Sequence, residues 1–166
     1  LVNLSTSVLG TNNEFTNRLP SALAGFITFL LVFFFGKRLL SMRAGLLSSL
    51  ILATCFFFPQ LSRWMMLDSL FTLFFLLSLF YFYLGYEKEE SRRSDYLFAG
   101  LSMGLGALTK GPIGYLPIPT FLLFALLQKE MKRFWNRHLL WGCLLSVIPV
   151  LIWWLPAAWM GGKDYV

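Results

Sequence analysis

The sequence predicts an all-α fold, a bundle of transmembrane helices. Three observations carry this. The chain is 57% hydrophobic and only 13% charged, against about 45–50% and about 25% in soluble domains. Its apolar residues fall into long runs separated by short charged stretches. Ten of its fourteen Lys and Arg residues gather in alternate stretches. This excess of apolar surface excludes a disulfide scaffold, a disordered chain and an ordinary soluble enzyme.

Six apolar runs are read in order: roughly 20–35, 44–59, 67–86, 96–109, 112–127 and 139–159. Several fall short of the ~20 residues that a perpendicular helix needs to cross the hydrocarbon core. The loop 36–43 holds Lys37, Arg38 and Arg43. The loop 87–95 holds Lys88, Arg92 and Arg93, and 128–138 holds Lys129, Lys132, Arg133 and Arg137. Short cation-rich loops stay cytoplasmic. Both ends of the chain and the connections at Arg63 and Lys110 then face outward. The net charge of +6 is explained by orientation, and nucleic-acid binding is not needed. The pair 96–109 and 112–127 reads equally as two thin spans or as a re-entrant hairpin. Both return the chain to the cytoplasmic side and leave Lys110 at the outer end. Gly100 and Gly104 have the spacing of a close helix contact, and Gly106 adds to it.

The chain opens on Leu1, shows no signal peptide, and is expected to be an internal piece of a longer protein. Residues 1–166 read as one transmembrane domain. Cys55 and Cys143 are expected near opposite membrane faces as unpaired, small apolar residues. Asn3-Leu4-Ser5 fits a glycosylation sequon, a short and weak pattern. His138 lies in a basic loop with no ligand cluster beside it. Glu87, Glu89, Glu90, Asp95 and Glu130 share loops with cations and read as solvated surface. The Phe-rich stretches 26–35, 56–58, 71–82 and 121–124 either line a groove for a long lipid chain or face lipid and neighbouring helices; the latter is the default.

Seven charges are left that orientation does not explain: Glu14, Arg18, Arg63, Asp68 and Lys110, with Lys163 and Asp164 near the end of the sequence. A charge at the centre of a membrane helix costs about 2.5–3.5 kcal/mol, less near the interface. Singly, each has a mundane explanation: Asp68 caps a helix, Arg63 snorkels to lipid phosphates, and Lys110 ends a turn. Together, Lys110 and Arg63 with the carboxylates Glu14 and Asp68 place two cations and two carboxylates on the outward face. That set suits an anionic lipid headgroup carrying phosphate, which Arg and Lys bind by charge-assisted hydrogen bonds.

Four blocks resemble one family. Glu14-Phe15-Thr16-Asn17-Arg18-Leu19-Pro20-Ser21-Ala22-Leu23 resembles its E-x-x-x-R-L-P-S-A-L segment. Arg63 to Asp68 resembles an R-x-x-x-x-D stretch that opens a membrane helix. Leu108-Thr109-Lys110-Gly111-Pro112 is similar to its L-T-K-G-P block, and Trp153-Trp154-Leu155-Pro156 to the Pro/Trp-rich end of a later helix. The family is that of the polyprenyl-phosphate-sugar-dependent glycosyltransferases of GT-C fold. It includes 4-amino-4-deoxy-L-arabinose lipid A transferases and protein O-mannosyltransferases.

The resemblance implies a donor sugar on undecaprenyl or dolichyl phosphate. The sugar passes with inversion to lipid A, a protein or a glycan on the outer side of a bacterial inner membrane. It implies that Lys110 and Arg63 bind the donor phosphate, with Asp68, Glu14 and Arg18 as supporting polar residues. The family's catalytic carboxylate lies upstream of the first block, so no residue of this chain is assigned as the base, and the isolated fragment is expected to be inactive. The first external loop and a C-terminal external domain fall outside residues 1–166. Glu14 would stand at the active-site rim, where the family can hold a metal or a lysine. Phe15 follows Glu14, and no outer-face histidine is present. No metal ligand is therefore assigned, and a divalent cation is the one cofactor the resemblance admits. A transporter or lipid flippase would also have short spans and isolated charges. It would add mid-depth charges and a paired repeat, and the sequence shows neither. A non-catalytic membrane subunit is the other alternative.

Overall fold

The computed structural model describes residues 14–56, 58–60, 67–87, 93–129 and 137–161. They are helical apart from short turns, with no strand among them. The chain divides into two compact units, Leu1–Leu76 and Leu77–Val166.

In the first unit, α1 spans Glu14–Leu39 and α2 spans Met42–Thr54. Helix α1 starts six residues before the apolar run read from sequence. The Glu14 to Leu19 block is thus helical, and Pro20 lies inside the helix. A tight turn joins the two helices. The Leu40 amide donates to the Gly36 carbonyl (3.1 Å), and the extended Ser41 caps α2 by accepting from the Ala44 amide at 3.2 Å. A serine N-cap satisfies an amide that the first helical turn leaves orphaned. The two helices cross so closely that a Cβ on Gly36 would lie 2.9 Å from the Gly45 Cα.

Helix α2 ends at Thr54, well short of the expected span to 59. Its 13 residues reach only about 20 Å. The Thr54 hydroxyl turns back onto the Leu50 and Ile51 carbonyls (3.0 and 3.1 Å). Ala24, Thr28, Leu31, Phe58, Leu70 and Leu73 are buried in this unit, and Phe29 meets Phe58 edge to face at 5.3 Å.

Helix α3, Asp68–Glu87, begins in the first unit and ends in the second. In the second unit follow α4 (Arg93–Lys110), a 3₁₀ segment (Gly111–Tyr115), α5 (Pro117–Leu127) and α6 (Arg137–Gly161). Gly100 abuts Gly142 and Gly104 abuts Ser146, a constant offset of 42 residues. A constant offset means that α4 and α6 run parallel, so the chain between them must return. Phe82 stacks on Phe121 (3.7 Å) and Tyr86 meets Phe124 (5.2 Å), so α5 runs parallel to the end of α3. Phe82 also meets Tyr96 (5.9 Å) near the start of α4. Phe82, Tyr86, Tyr96, Ala99, Phe121 and Ala125 form the buried core.

Each apolar run overlaps a helix, but six membrane segments are not shown: among the described residues, three helices are long and apolar enough to cross a membrane, Asn17–Leu39, Asp68–Glu87 and Arg137–Pro156. A fourth span results if Arg93–Tyr115 and Pro117–Leu127 are counted as one broken helix. The 3₁₀ segment Gly111–Tyr115 folds back on the end of α4, with Gly114 against Gly106 and Ala107, forming a hairpin whose first leg lies beside α6; α5 follows across a bend of 58°.

Candidate functional site

Lys110 closes α4 and stands at the tip of this hairpin. The local sequence explains the reversal. Gly111 takes φ +65°, a left-handed conformation that glycine adopts without a Cβ penalty. Pro112 then starts the 3₁₀ segment, where its missing amide costs nothing. The Thr109 hydroxyl donates to the Gly106 carbonyl at 2.7 Å, and the Leu116 amide donates to Ile113 at 3.0 Å. Gly114 is buried against the backbone of Gly106 and Ala107, leaving no room for a side chain. The Tyr115 hydroxyl reaches the Ser146 carbonyl of α6 at 3.5 Å. Lys110 itself is exposed. Extending the α4–α6 register puts it level with Ile152, about 6 Å of helix rise short of Pro156, the end of the α6 span.

The other predicted residues lie in the first unit. Glu14 opens α1, and Arg18 follows one turn later as an exposed side chain. Asp68 opens α3 and is half-buried; its backbone carbonyl accepts from the Thr72 hydroxyl at 2.8 Å. An acidic residue in the first turn suits the positive end of the helix dipole. Arg63 and Asn3 lie outside the described residues. Among the described residues, no three His, Cys, Asp or Glu side chains gather as a metal site.

Two residues read as loop surface prove otherwise. Asp95 is only 9% exposed and sits in the first turn of α4. His138 belongs to the first turn of α6. In both cases the helix begins before the apolar run does, so the hydropathy boundary misplaces them. Glu87 is exposed, as expected. The Phe-rich stretches split between roles: Phe58, Phe82 and Phe121 are buried, while Phe26 and Phe34 are exposed. Both cysteines are free, Cys55 exposed and Cys143 half-buried. Sequence reasoning did not single out Ser69 and Ser78, whose hydroxyls are fully buried in α3 without a hydrogen-bond partner. Serines within an apolar run carry no signal that separates a buried one from an exposed one.

Comparison with known proteins covers nearly the whole chain. Residues 1–154 match the family model described as dolichyl-phosphate-mannose-protein mannosyltransferase. An undecaprenyl phosphate-alpha-4-amino-4-deoxy-L-arabinose arabinosyl transferase of Edwardsiella ictaluri is 30% identical over 98% of this chain and 30% of its own length. The corresponding protein of Pectobacterium atrosepticum is 32% identical over 96% of this chain and 28% of its own length. An uncharacterized protein of Aquifex aeolicus is 33% identical over 93% of this chain and 30% of its own length. The chain thus spans just under a third of these relatives. No solved structure matches it.

Proposed function

Because the chain belongs to the dolichyl-phosphate-mannose-protein mannosyltransferase family, we propose that it forms part of the membrane domain of a glycosyltransferase that uses a polyprenyl-phosphate-linked sugar. The acceptor is a lipid, protein or glycan on the outer side of a bacterial inner membrane. The curated names of the Edwardsiella and Pectobacterium relatives favour an aminoarabinose donor on undecaprenyl phosphate.

The reaction breaks the bond between the anomeric carbon and the phosphate oxygen. An acceptor oxygen attacks that carbon from the opposite face, which inverts it. A carboxylate base takes the acceptor's proton, and the resemblance expects this base upstream of the Glu14 block. Polyprenyl phosphate leaves with an added negative charge, which cations must stabilise as it develops. Lys110 is assigned this work together with Arg63. Asp68, Glu14 and Arg18 orient the cations or the external loop. If a divalent cation takes part, it would add positive charge at the Glu14 rim.

The observation that carries the assignment is the placement of Lys110. It is the cation of a family-like L-T-K-G-P block, exposed at the turn that follows α4, beside a segment braced against α4 and α6. The site faces the polyprenyl phosphate headgroup if the cation-rich loops are cytoplasmic. The test is donor turnover by the full-length enzyme carrying Lys110→Ala. A hydrogen bond to a charged group is worth about 1.5–3 kcal/mol, so kcat/KM should fall about ten- to a hundredfold, with Lys110→Arg partly restoring it. Unchanged turnover and donor binding in Lys110→Ala would overturn the assignment.

A further inference from the structure

The opposite end of the second unit holds a second assembly of charged and apolar groups. The parallel register that sends Lys110 to one end brings the N-termini of α4 and α6 together at the other. Arg93 opens α4 and Arg137 opens α6, and both are exposed. The Arg93 guanidinium lies over the Trp141 ring, 5.7 Å from its centroid. Arg137, Trp141, Leu144 and Ile148 follow each other at spacings of four, three and four residues, so they share one face of α6. Trp141, Leu144 and Ile148 are 53%, 62% and 47% exposed.

This face is graded by depth. Arg137 is the first residue of the apolar span Arg137–Pro156, and therefore stands at its boundary. Trp141 lies one turn deeper, about 6 Å in, at the level where indole rings prefer the interface. Leu144 and Ile148 continue into the apolar region. The cation–π contact holds the Arg93 guanidinium beside the indole, and a guanidinium can bind a phosphodiester bidentately. The acidic groups described at this end are Glu87, at the end of α3, and Asp95, which is buried in the first turn of α4. Lys129 and His138 lie at the same end.

We propose that this face is a binding site for one anionic phospholipid of the surrounding bilayer. Arg93 and Arg137 hold its phosphate, Trp141 meets its glycerol region, and Leu144 and Ile148 contact an acyl chain. Charge complementarity selects an anionic headgroup, and the aliphatic continuation selects a lipid over a free anion. The inference does not rest on the transferase reading.

The test is native mass spectrometry of the full-length protein, incubated in detergent with equal amounts of phosphatidylglycerol and phosphatidylcholine. Bound phosphatidylglycerol should exceed phosphatidylcholine about tenfold, given the worth of each juxtamembrane cation. The enrichment should fall to near parity in Arg93→Gln/Arg137→Gln and fall partway in Trp141→Leu. It should survive in Lys110→Ala, which separates this site from the donor site. Equal binding of the two lipids by the unaltered protein would overturn the proposal, a result that needs no variant to fold. So would enrichment that persists in a folded double variant.

Discussion

The second unit is held by two seams made of opposite materials. Along α4 and α6, Gly100, Gly104 and Gly142 remove side chains, so that backbone meets backbone. Around Phe82, Tyr96 and Phe121, large rings fill the space between α3, α4 and α5. In a bilayer no hydrophobic force draws helices together, because lipid tails are as apolar as leucine; close packing must do it. The glycine seam achieves this by proximity and also fixes register, since only one alignment brings small residues face to face. The aromatic seam achieves it by contact area, with rings stacked or edge-on. The first should be intolerant of added atoms and the second of removed ones.

Substitutions that reverse the two seams would break this contrast. The largest effect is expected from Gly100→Val, whose Cβ would collide with the Gly142 carbonyl, a backbone atom that cannot rotate away. Overpacking usually costs 1–3 kcal/mol. Against backbone it should exceed about 3 kcal/mol and lower the thermal midpoint of the full-length protein in detergent by the most. A midpoint unchanged by this substitution would mean that the seam is looser than its geometry. Phe82→Ala removes a buried ring that faces Phe121 and Tyr96. It should cost about 3 kcal/mol, and a larger ring-deletion effect than glycine effect would reverse the ranking. Tyr115→Phe is the smallest test. It deletes a 3.5 Å hydrogen bond to the glycine seam, and interhelical bonds of this kind average about 0.6 kcal/mol in membranes. A midpoint shift near the detection limit is expected. Donor turnover then reports whether the bond matters for holding the Lys110 hairpin.

Much of this architecture was legible in the residues. Each apolar run overlaps a described helix, because hydropathy records which residues shun water. The Gly100–Gly104 spacing announces the close seam, since few other purposes favour two glycines one turn apart in a helix. Lys110, Gly111 and Pro112 announce a reversal through the backbone preferences of Gly and Pro. Helix ends were less legible. Glu14, Asp95 and His138 are polar but helical, and a hydropathy boundary cannot see a helix that continues past its apolar stretch. The length of α2 is overestimated, because apolar character persists through Phe56 and Phe58 while the helix ends at Thr54 and Cys55 is extended. The partner of the Gly100 seam was not legible at all: the sequence shows that something packs there, and only the fold identifies Gly142 and Ser146. For the candidate site, the sequence located Lys110 and its turn, while its height along α6 required the register.

The same offset of 42 residues has a consequence for assembly during synthesis. A ribosome adding about 5–20 residues per second delivers the partner of each α4 residue roughly 2–8 s after that residue. During this interval α4 carries a bare glycine face, a buried-to-be Asp95 and too little apolar character to qualify as a crossing helix on its own length and composition. Its companion at that stage is α3, already made and strongly apolar, with Phe82 and Gly85 available to receive Tyr96. The partners of the aromatic seam are thus all made before α6, whereas the glycine seam can close only when α6 arrives.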